Sequence, residues 1–379
     1  MSRRPREVTI EAEEAVPEAD RLEGFPHPRE TMDLVGQSKA EQALLAAWRA
    51  GHLHHAWLLT GPEGVGKATL AYRFARFLLS GAPEDTLVPR LDLAVSPALP
   101  AVRQIVAQAH PGLLVIRRPY DQKNKRLTTT IPVDEVRRLK DFLALTADEG
   151  AWRIVIVDRA DEMNVNAANA LLKSLEEPPP RTLFLLVTAE PGRILRTIRS
   201  RARRLELDPL SATDLERALN PLRVATDEPP LPASEIATLA TLSGGSIRKA
   251  LQLSSGNALA VYERLLKIAG ALKPAPEILK LIDQVPATGG DTAPFLTILD
   301  LLEGLMGRLA RHALTGEGAL PAETRLAGRL AEADRLATWA ELWESIGRLR
   351  ADALALQLDR KAILVDLLTR LTEPGLKAA

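Results

Sequence analysis

Cysteine is absent from the 379-residue chain. That excludes disulfides and any zinc site built on thiolates, and it leaves the redox compartment undetermined. Aromatic residues are scarce, at 4%, against 46% apolar residues overall, which is enough for real cores. Net charge is also absent, with 49 basic and 49 acidic side chains. Nothing global draws the chain to nucleic acid, so any such contact must come from a local patch. No run of about 18 apolar residues exists, so no membrane-spanning helix is expected. The opening stretch, "MSRRPREVTIEAEEAVPEAD", lacks the apolar centre of a signal peptide. A soluble, cytoplasmic protein is the expectation. No internal repeat of fixed period is present. The first residues are charged and mixed in sign, and residues 1–32 read as a loosely ordered arm that buries too little to offset ordering entropy.

What is present is rich in Ala, Leu and Arg, which favours helices. Short apolar runs at 56–60, 112–118, 153–158, 182–188 and 203–207 read as strands, with helical patterns between them. Ser38 with Glu41 suggests a capping box ahead of Leu44, Leu45 and Trp48. "KATLAYRFARFLL" places Leu70, Phe74 and Phe77 at helical spacing, Pro132 suits the first turn of a helix over "VDEVRRLKDFLAL", and "NAANALLKSLEE" must stop at Pro178. Alternating strands and helices predict an α/β domain with a largely parallel sheet between helices, over residues 33–208. Beyond 208 the strand signals vanish. Short helices around a "RVATDEPPLP" loop predict a small helical domain over 209–270. After the Pro-containing stretch 271–277 an all-α domain over 271–379 is expected, with Ile363, Leu367 and Leu371 on one face of its last helix.

Four constellations carry chemistry. In "GPEGVGKAT" the residues Gly61, Pro62, Glu63, Gly64, Val65, Gly66, Lys67, Ala68 and Thr69 have the spacing of a phosphate-binding loop between strand and helix. Its glycines let backbone N–H groups turn toward phosphate oxygens, the helix N-terminus adds partial positive charge, and Lys67 would reach the β and γ phosphates. The hydroxyl that would hold Mg²⁺ is missing, because position 68 is Ala. Thr69 is rotated from that position by about 100° around the helix. The second is "RIVIVDRADEMN", an apolar strand ending in Asp158, which is placed like the carboxylate that holds Mg²⁺ in nucleotide hydrolases. The following residue, where a water-polarising Glu is expected, is Arg159, and a guanidinium cannot act as a base. Asp161 and Glu162 fall past the strand end. The third is "TIRSRARRLEL", which crowds Arg199, Arg201, Arg203 and Arg204 and reads either as a solvated basic turn or as an arginine finger offered to a neighbouring subunit. The fourth is "LSGGSIRKAL", where Gly244 and Gly245 break a helix, Ser246 can cap the next and Arg248 lies in its first turn. Alone it reads as a surface arginine.

Together "LVGQSKAEQALLAAWRAGHLHHAWLLTGPEGVGKATLAYRFARFLL", "RIVIVDRADEMNVNAANALLKSLEEPPPRTLFLLVTAEPGRILRTIRSRARRLEL" and "LSGGSIRKALQL" resemble the clamp-loader AAA+ family of bacterial DNA polymerase III, strongly over residues 33 to 255. The resemblance implies an AAA+ domain, a helical lid and a helical collar that joins five subunits. It implies delta and gamma/tau subunits as partners, with the sliding clamp and primed DNA met through the complex in the replisome, and no membrane. It implies a subunit of a DNA-directed DNA polymerase holoenzyme without an ATPase of its own. Ser200 and Arg201 match the family's Ser-Arg-Cys turn, so Arg201 would be the catalytic finger acting in trans, although Ala202 replaces the cysteine. Arg248 matches the second sensor arginine and Thr188 lies near the first sensor position. ATP or ADP is the candidate ligand, with Mg²⁺ only beside a bound nucleotide.

Many members of that family carry a four-cysteine zinc module after the phosphate loop. Residues 81–111 here hold none, so no zinc is expected, and the segment must fold on apolar packing or be partly disordered. Two other readings differ in class. An active gamma/tau-like ATPase is opposed by Ala68 and Arg159. Another phosphate-loop DNA-remodelling motor is opposed by the "SLEEPP" and "SRARR" segments and by the altered carboxylate strand.

Overall fold

The computed structural model describes residues 17–81, 91–144, 151–254, 257–270, 275–318, 320–330 and 333–376. These divide into two compact units. One runs through Pro209 and includes Pro221–Glu228; the other takes Leu210–Asn220 and everything from Pro229 onward.

In the first unit α1 (Ser38–Arg49) leads into β1 (Ala56–Thr60) and α2 (Lys67–Leu79). Then come α3 (Pro100–Val106), β2 (Leu113–Ile116), a small antiparallel pair of β3 (Tyr120–Asp121) and β4 (Arg126–Leu127), and α4 (Val133–Ala144). The unit continues through β5 (Arg153–Val157), α5 (Val165–Glu176), β6 (Thr182–Val187), α6 (Arg196–Arg199) and β7 (Arg203–Glu206). Five strands form one parallel sheet in the order β2-β5-β6-β1-β7, with Leu58 of β1 in register between Leu186 and Arg204. The five apolar runs read as strands are these five.

The central strands are buried on both faces, which is why they are apolar without interruption. Successive side chains alternate between two cores. Trp57, Leu59, Ile154, Ile156, Leu183 and Leu185 meet Leu44, Leu70, Phe74, Phe77 and Ile105 on one side. Ala56, Leu58, Val155, Val157, Phe184 and Leu186 meet Val136, Leu139, Leu171, Leu175 and Ile198 on the other.

Two expectations for this unit are corrected. The capping box does not form: α1 starts at Ser38 itself, Gln37 is its N-cap, and no side chain caps it. Glu41 is instead buried, accepting from Arg73 Nε at 2.6 Å and from the Leu93 N–H at 2.9 Å. The loosely ordered arm does not hold over residues 17–32, while 1–16 lie outside the described residues. Asp20, His27 and Arg29 are buried. Their mixed charges are complementary to one another and to groups far along the chain. Arg117 Nη1 donates to Asp20 Oδ1 at 2.8 Å, Arg29 Nη1 to Glu18 Oε1 at 2.7 Å, and Arg76 to the carbonyls of Arg29 and Thr31 at 2.9 and 2.8 Å. The cysteine-free segment packs on apolar side chains where it is described: Leu93 and Ile105 are fully buried in the core beside α2. Residues 82–90 lie outside the described residues.

In the second unit α7 (Ala212–Ala225) runs through Pro221 and leaves this unit at Asn220, so the loop expected from Arg223 begins three residues later. Then follow α8 (Ala233–Ser243), α9 (Ile247–Ser254), α10 (Ala258–Gly270), α11 (Ala275–Ile282), α12 (Ala293–Thr315), α13 (Thr324–Leu330), α14 (Ala333–Ala355) and α15 (Arg360–Leu376). Gly244 and Gly245 take φ of 60° and 73° and separate α8 from α9, and Ser246 Oγ caps α9 by accepting the Lys249 N–H at 3.2 Å. The packing does not divide at residue 270. Val261, Leu265 and Ile268 of α10 share one core with Phe295, Leu302 and Leu309 of α12 and with Leu364, Leu367 and Leu371 of α15. Leu242 and Leu253 of α8 and α9 pack against the same core. An amphipathic helix goes where its apolar face finds a partner, and the face of α10 matches the helices that follow it.

Candidate phosphate site and arginine turn

The phosphate loop bridges β1 and α2 in the first unit. Gly61 has φ 138°, and a Cβ there would lie 2.4 Å from the Leu207 carbonyl oxygen, so only glycine fits. Gly66 is the N-cap of α2 at φ 102°, with Leu34 closing over it. Gln37 holds the loop from behind: its Nε2 donates to the Val65 carbonyl at 3.0 Å and to the Asp208 carbonyl at 2.8 Å. Lys67 is buried, and its Nζ donates to the carbonyls of Gly61 at 2.7 Å and Pro62 at 2.5 Å. Burial pulls its pKa down to about 8 against the pull of Glu63, Asp158 and Asp161. Ala68 and Thr69 lie in the first turn of α2 and are half-buried.

Asp158 follows β5 directly, and its N–H donates to the Ile116 carbonyl at 2.9 Å. Burial, with the negative Asp20 nearby, pushes its pKa up to about 7. Thr188 follows β6, is fully buried, donates its N–H to the Leu59 carbonyl at 3.0 Å and accepts the Glu190 N–H at its hydroxyl. The loop, Asp158 and Thr188 therefore stand together at the carboxyl ends of three adjacent parallel strands, the usual ligand crevice of such sheets.

Arg159 is a further part of this site. It takes a left-handed backbone, φ 54° and ψ 56°. Its Nη2 lies 3.1 Å from Glu63 Oε2 in the phosphate loop, and its Nε lies 3.1 Å from Glu162 Oε1. Glu162 Oε2 in turn lies 2.8 Å from Arg118 Nε. A chain of alternating charge thus runs from the end of β2 to the phosphate loop. The sequence marked Arg159 only as a missing base. Its reach to Glu63 depends on a backbone conformation that no local pattern signals.

Arg201 lies elsewhere. It stands just before β7, which runs parallel to β1, so it sits at the amino end of the sheet while the loop sits at the carboxyl end. The five residues of β1 between the two edges span about 17 Å at roughly 3.3 Å per residue. Arg201 is half-buried, donating from Nη1 to the Thr197 carbonyl at 3.0 Å, with Nη2 2.9 Å from Glu176 Oε1. Beside it Arg196, Arg199, Ser200 and Arg204 line a surface cavity of about 460 Å³ with Leu58, Pro191 and Gly192. Arg203 stacks over Trp57 at 5.0 Å. Arg248 belongs to the other unit, in the first turn of α9.

A parallel sheet between helices, a glycine loop after its β1 strand, a carboxylate after β5 on the far side of β6, and a helical unit in the same chain define a phosphate-loop protein of the AAA+ class. The family described as "DNA polymerase III, delta subunit" matches residues 36–211. The chain is 39% identical over 199 residues to DNA polymerase III subunit delta' of Pseudomonas aeruginosa, covering 52% of this chain and 55% of that protein. It is 32% identical over 257 residues to subunit delta' of Escherichia coli, covering 65% and 70%. It is 29% identical over 189 residues to subunit gamma of Buchnera aphidicola from Schizaphis graminum, covering 50% and 47%. The chain belongs to the DNA polymerase III delta' family. It spans about half the length of the first two curated relatives it matches, the Pseudomonas and Buchnera proteins.

Proposed function

We propose that the chain is a clamp-loader subunit of the delta' kind. It assembles with delta and gamma/tau subunits, helps to place a sliding clamp on primed DNA, and works in the cytoplasm. Among the described residues no helix is long and apolar enough to cross a membrane, and the family relatives are DNA polymerase III subunits. Within such a complex the chain hydrolyses no ATP itself and lends Arg201 to the ATP of a neighbouring subunit.

The observation that carries this reading is the separation of Arg201 from its own loop. A guanidinium at the amino edge of the sheet cannot reach a phosphate held at the carboxyl edge of the same sheet. It can serve only a nucleotide brought by another molecule, where a trans cation neutralises charge developing on the transferred phosphoryl group. Arg159 in the place of the water-polarising carboxylate supports the other half, because a permanent cation accepts no proton.

Reconstitution with delta and gamma/tau subunits tests the proposal. Clamp loading should depend on this chain, while the isolated chain should turn over no ATP above background. Turnover by the isolated chain at the rate of gamma/tau would favour the active-ATPase reading instead.

A further inference from the structure

The nucleotide that a phosphate loop holds is ordinarily accompanied by Mg²⁺, and the two fit this site differently. The cradle for phosphate is built: glycines at positive φ at 61, 64 and 66, no room for a side chain at 61, and a buried lysine beneath the loop. The seat for the metal is not. Its hydroxyl ligand is replaced by the methyl of Ala68. Among the described residues no three His, Asp or Glu side chains are grouped to hold a metal ion. The group that does reach the loop beside Lys67 is a cation, Arg159, 3.1 Å from Glu63.

We propose that Arg159 is a phosphate contact that takes the place of Mg²⁺, so that this chain binds a nucleoside diphosphate or triphosphate without metal. Two independent observations support it. First, Arg159 sits in a left-handed conformation that is costly for a residue with a Cβ, and in that conformation its guanidinium reaches Glu63 of the loop at 3.1 Å. Observed strain of this kind clusters at ligand-binding positions. Second, its present partner is easily exchanged. The Glu63 pair is half-exposed, with side-chain exposures of 31% and 41%, and such pairs are weak. A guanidinium meets a phosphate through two parallel N–H···O bonds and does so more strongly. Binding would thus swap Glu63 for phosphate oxygens on Arg159 while Glu162 and Arg118 keep the guanidinium aimed. The proposal rests on the reading of residues 61–69 as a phosphate cradle, and not on the trans role of Arg201.

The test is titration of the full chain with a fluorescent methylanthraniloyl-ADP, in excess EDTA and in Mg²⁺. The two wild-type isotherms should superimpose. Arg159→Ala should weaken metal-free binding about ten- to a hundredfold, the loss expected for a charge-assisted hydrogen bond, and Arg159→Lys should recover part of it. Ala68→Thr should make Mg²⁺ tighten binding where it had no effect before. Because Ala at a left-handed position can loosen the fold, Arg159→Gly, which tolerates that backbone, should give the same loss. Binding that appears only with Mg²⁺, no saturable binding in either buffer, or unchanged affinity in both the Ala and Gly variants would overturn the proposal. Clamp loading measured alongside separates the two readings: support of loading without nucleotide binding removes only this inference, and metal-free binding without support of loading removes only the proposed function.

Discussion

His27 Nε2 stands 2.8 Å from Asp20 Oδ2, while His27 Nδ1 accepts the Arg29 N–H at 3.0 Å. With Nδ1 accepting, Nε2 is the nitrogen that carries the proton toward Asp20. The pair is buried, and its contacts with Arg117, which donates to Asp20 at 2.8 Å, and with Tyr72, whose ring lies edge-to-face with the imidazole at 5.7 Å, tie residues 17–32 to the rest of the α/β unit. Burial raises the pKa of Asp20, but the His27 hydrogen bond and the Arg117 charge outweigh it, and the net shift is downward. Glu18 and Glu30 are also shifted down, against burial, by their arginine and backbone partners. The unfolded chain therefore binds more protons than the folded one across the carboxylate range. Stability from this segment is present above the ordinary carboxylate pKa and is lost as pH falls through the lowered folded values. The hydrogen-exchange protection factors of residues 17–32, relative to intrinsic rates at each pH, should fall on acidification before those of the central strands, and Asp20→Asn should remove much of the difference. Uniform protection of both regions down to the acid transition would contradict this assignment.

Asp158 has the opposite sign. Burial holds its folded pKa at about 7, above the ordinary carboxylate value, so the folded state binds more protons there. Its contribution to stability is full below the unfolded pKa and is lost as pH rises through about 7. Asp158→Asn should flatten that decline and raise the melting temperature at pH 8 more than at pH 5. An equal shift at both pH values would mean that Asp158 ionises freely in the folded chain.

The phosphate loop makes a steric prediction. A methyl at position 61 would meet the Leu207 carbonyl oxygen at 2.4 Å, in a backbone region essentially reserved for glycine. Gly61→Ala should destabilise the α/β unit by about 1–3 kcal/mol, the range for a residue forced into such a conformation. Gly192→Ala, where a Cβ meets nothing within 4 Å, should be close to neutral. Chemical denaturation of both variants makes the comparison.

Placing α10 in the core of the last helices has a measurable consequence. Leu265 is fully buried among α12 and α15 side chains. Leu265→Ala should cost about 2–5 kcal/mol, and the lost hydrogen-exchange protection should appear in α12 and α15. Loss confined to α8 and α9 would restore a boundary at 270.

How far the sequence could be read follows from the range of each interaction. The five sheet strands and the phosphate loop were legible because their signals are local: uninterrupted apolar runs, and glycines at fixed spacing ahead of Lys67. The arm over 17–32 was misread because the partners of Glu18, Asp20 and Arg29 are Val106, Gln108 and Arg117, roughly 80 to 100 residues away. Glu41 looked like a capping residue at three residues' range, but Arg73 and the Leu93 N–H claim it from much farther along the chain. The reach of Arg159 to Glu63 was invisible because φ 54° is a property of the folded turn and not of the residue.

Arg201 provides the most direct test of the proposed role. It is held by Glu176 at 2.9 Å and by the Thr197 carbonyl at 3.0 Å, half-exposed at the edge of the sheet away from its own loop. A partly exposed ion pair of this kind adds little to stability, about 0–1 kcal/mol, so Arg201→Ala should leave the melting temperature of the isolated chain nearly unchanged. In the reconstituted complex the same substitution should slow DNA-dependent ATP hydrolysis, by up to the roughly 10³–10⁵-fold range of arginine fingers. Arg201→Lys should restore little of the rate, because a point charge lacks the planar fork that meets a phosphate through two bonds. Arg203→Ala, which removes a cation stacked on Trp57 on the same turn, serves as the control and should leave the rate near wild type. An unchanged rate in Arg201→Ala, or an equal loss in Arg203→Ala, would show that the turn contributes general basic charge and that Arg201 is not the finger.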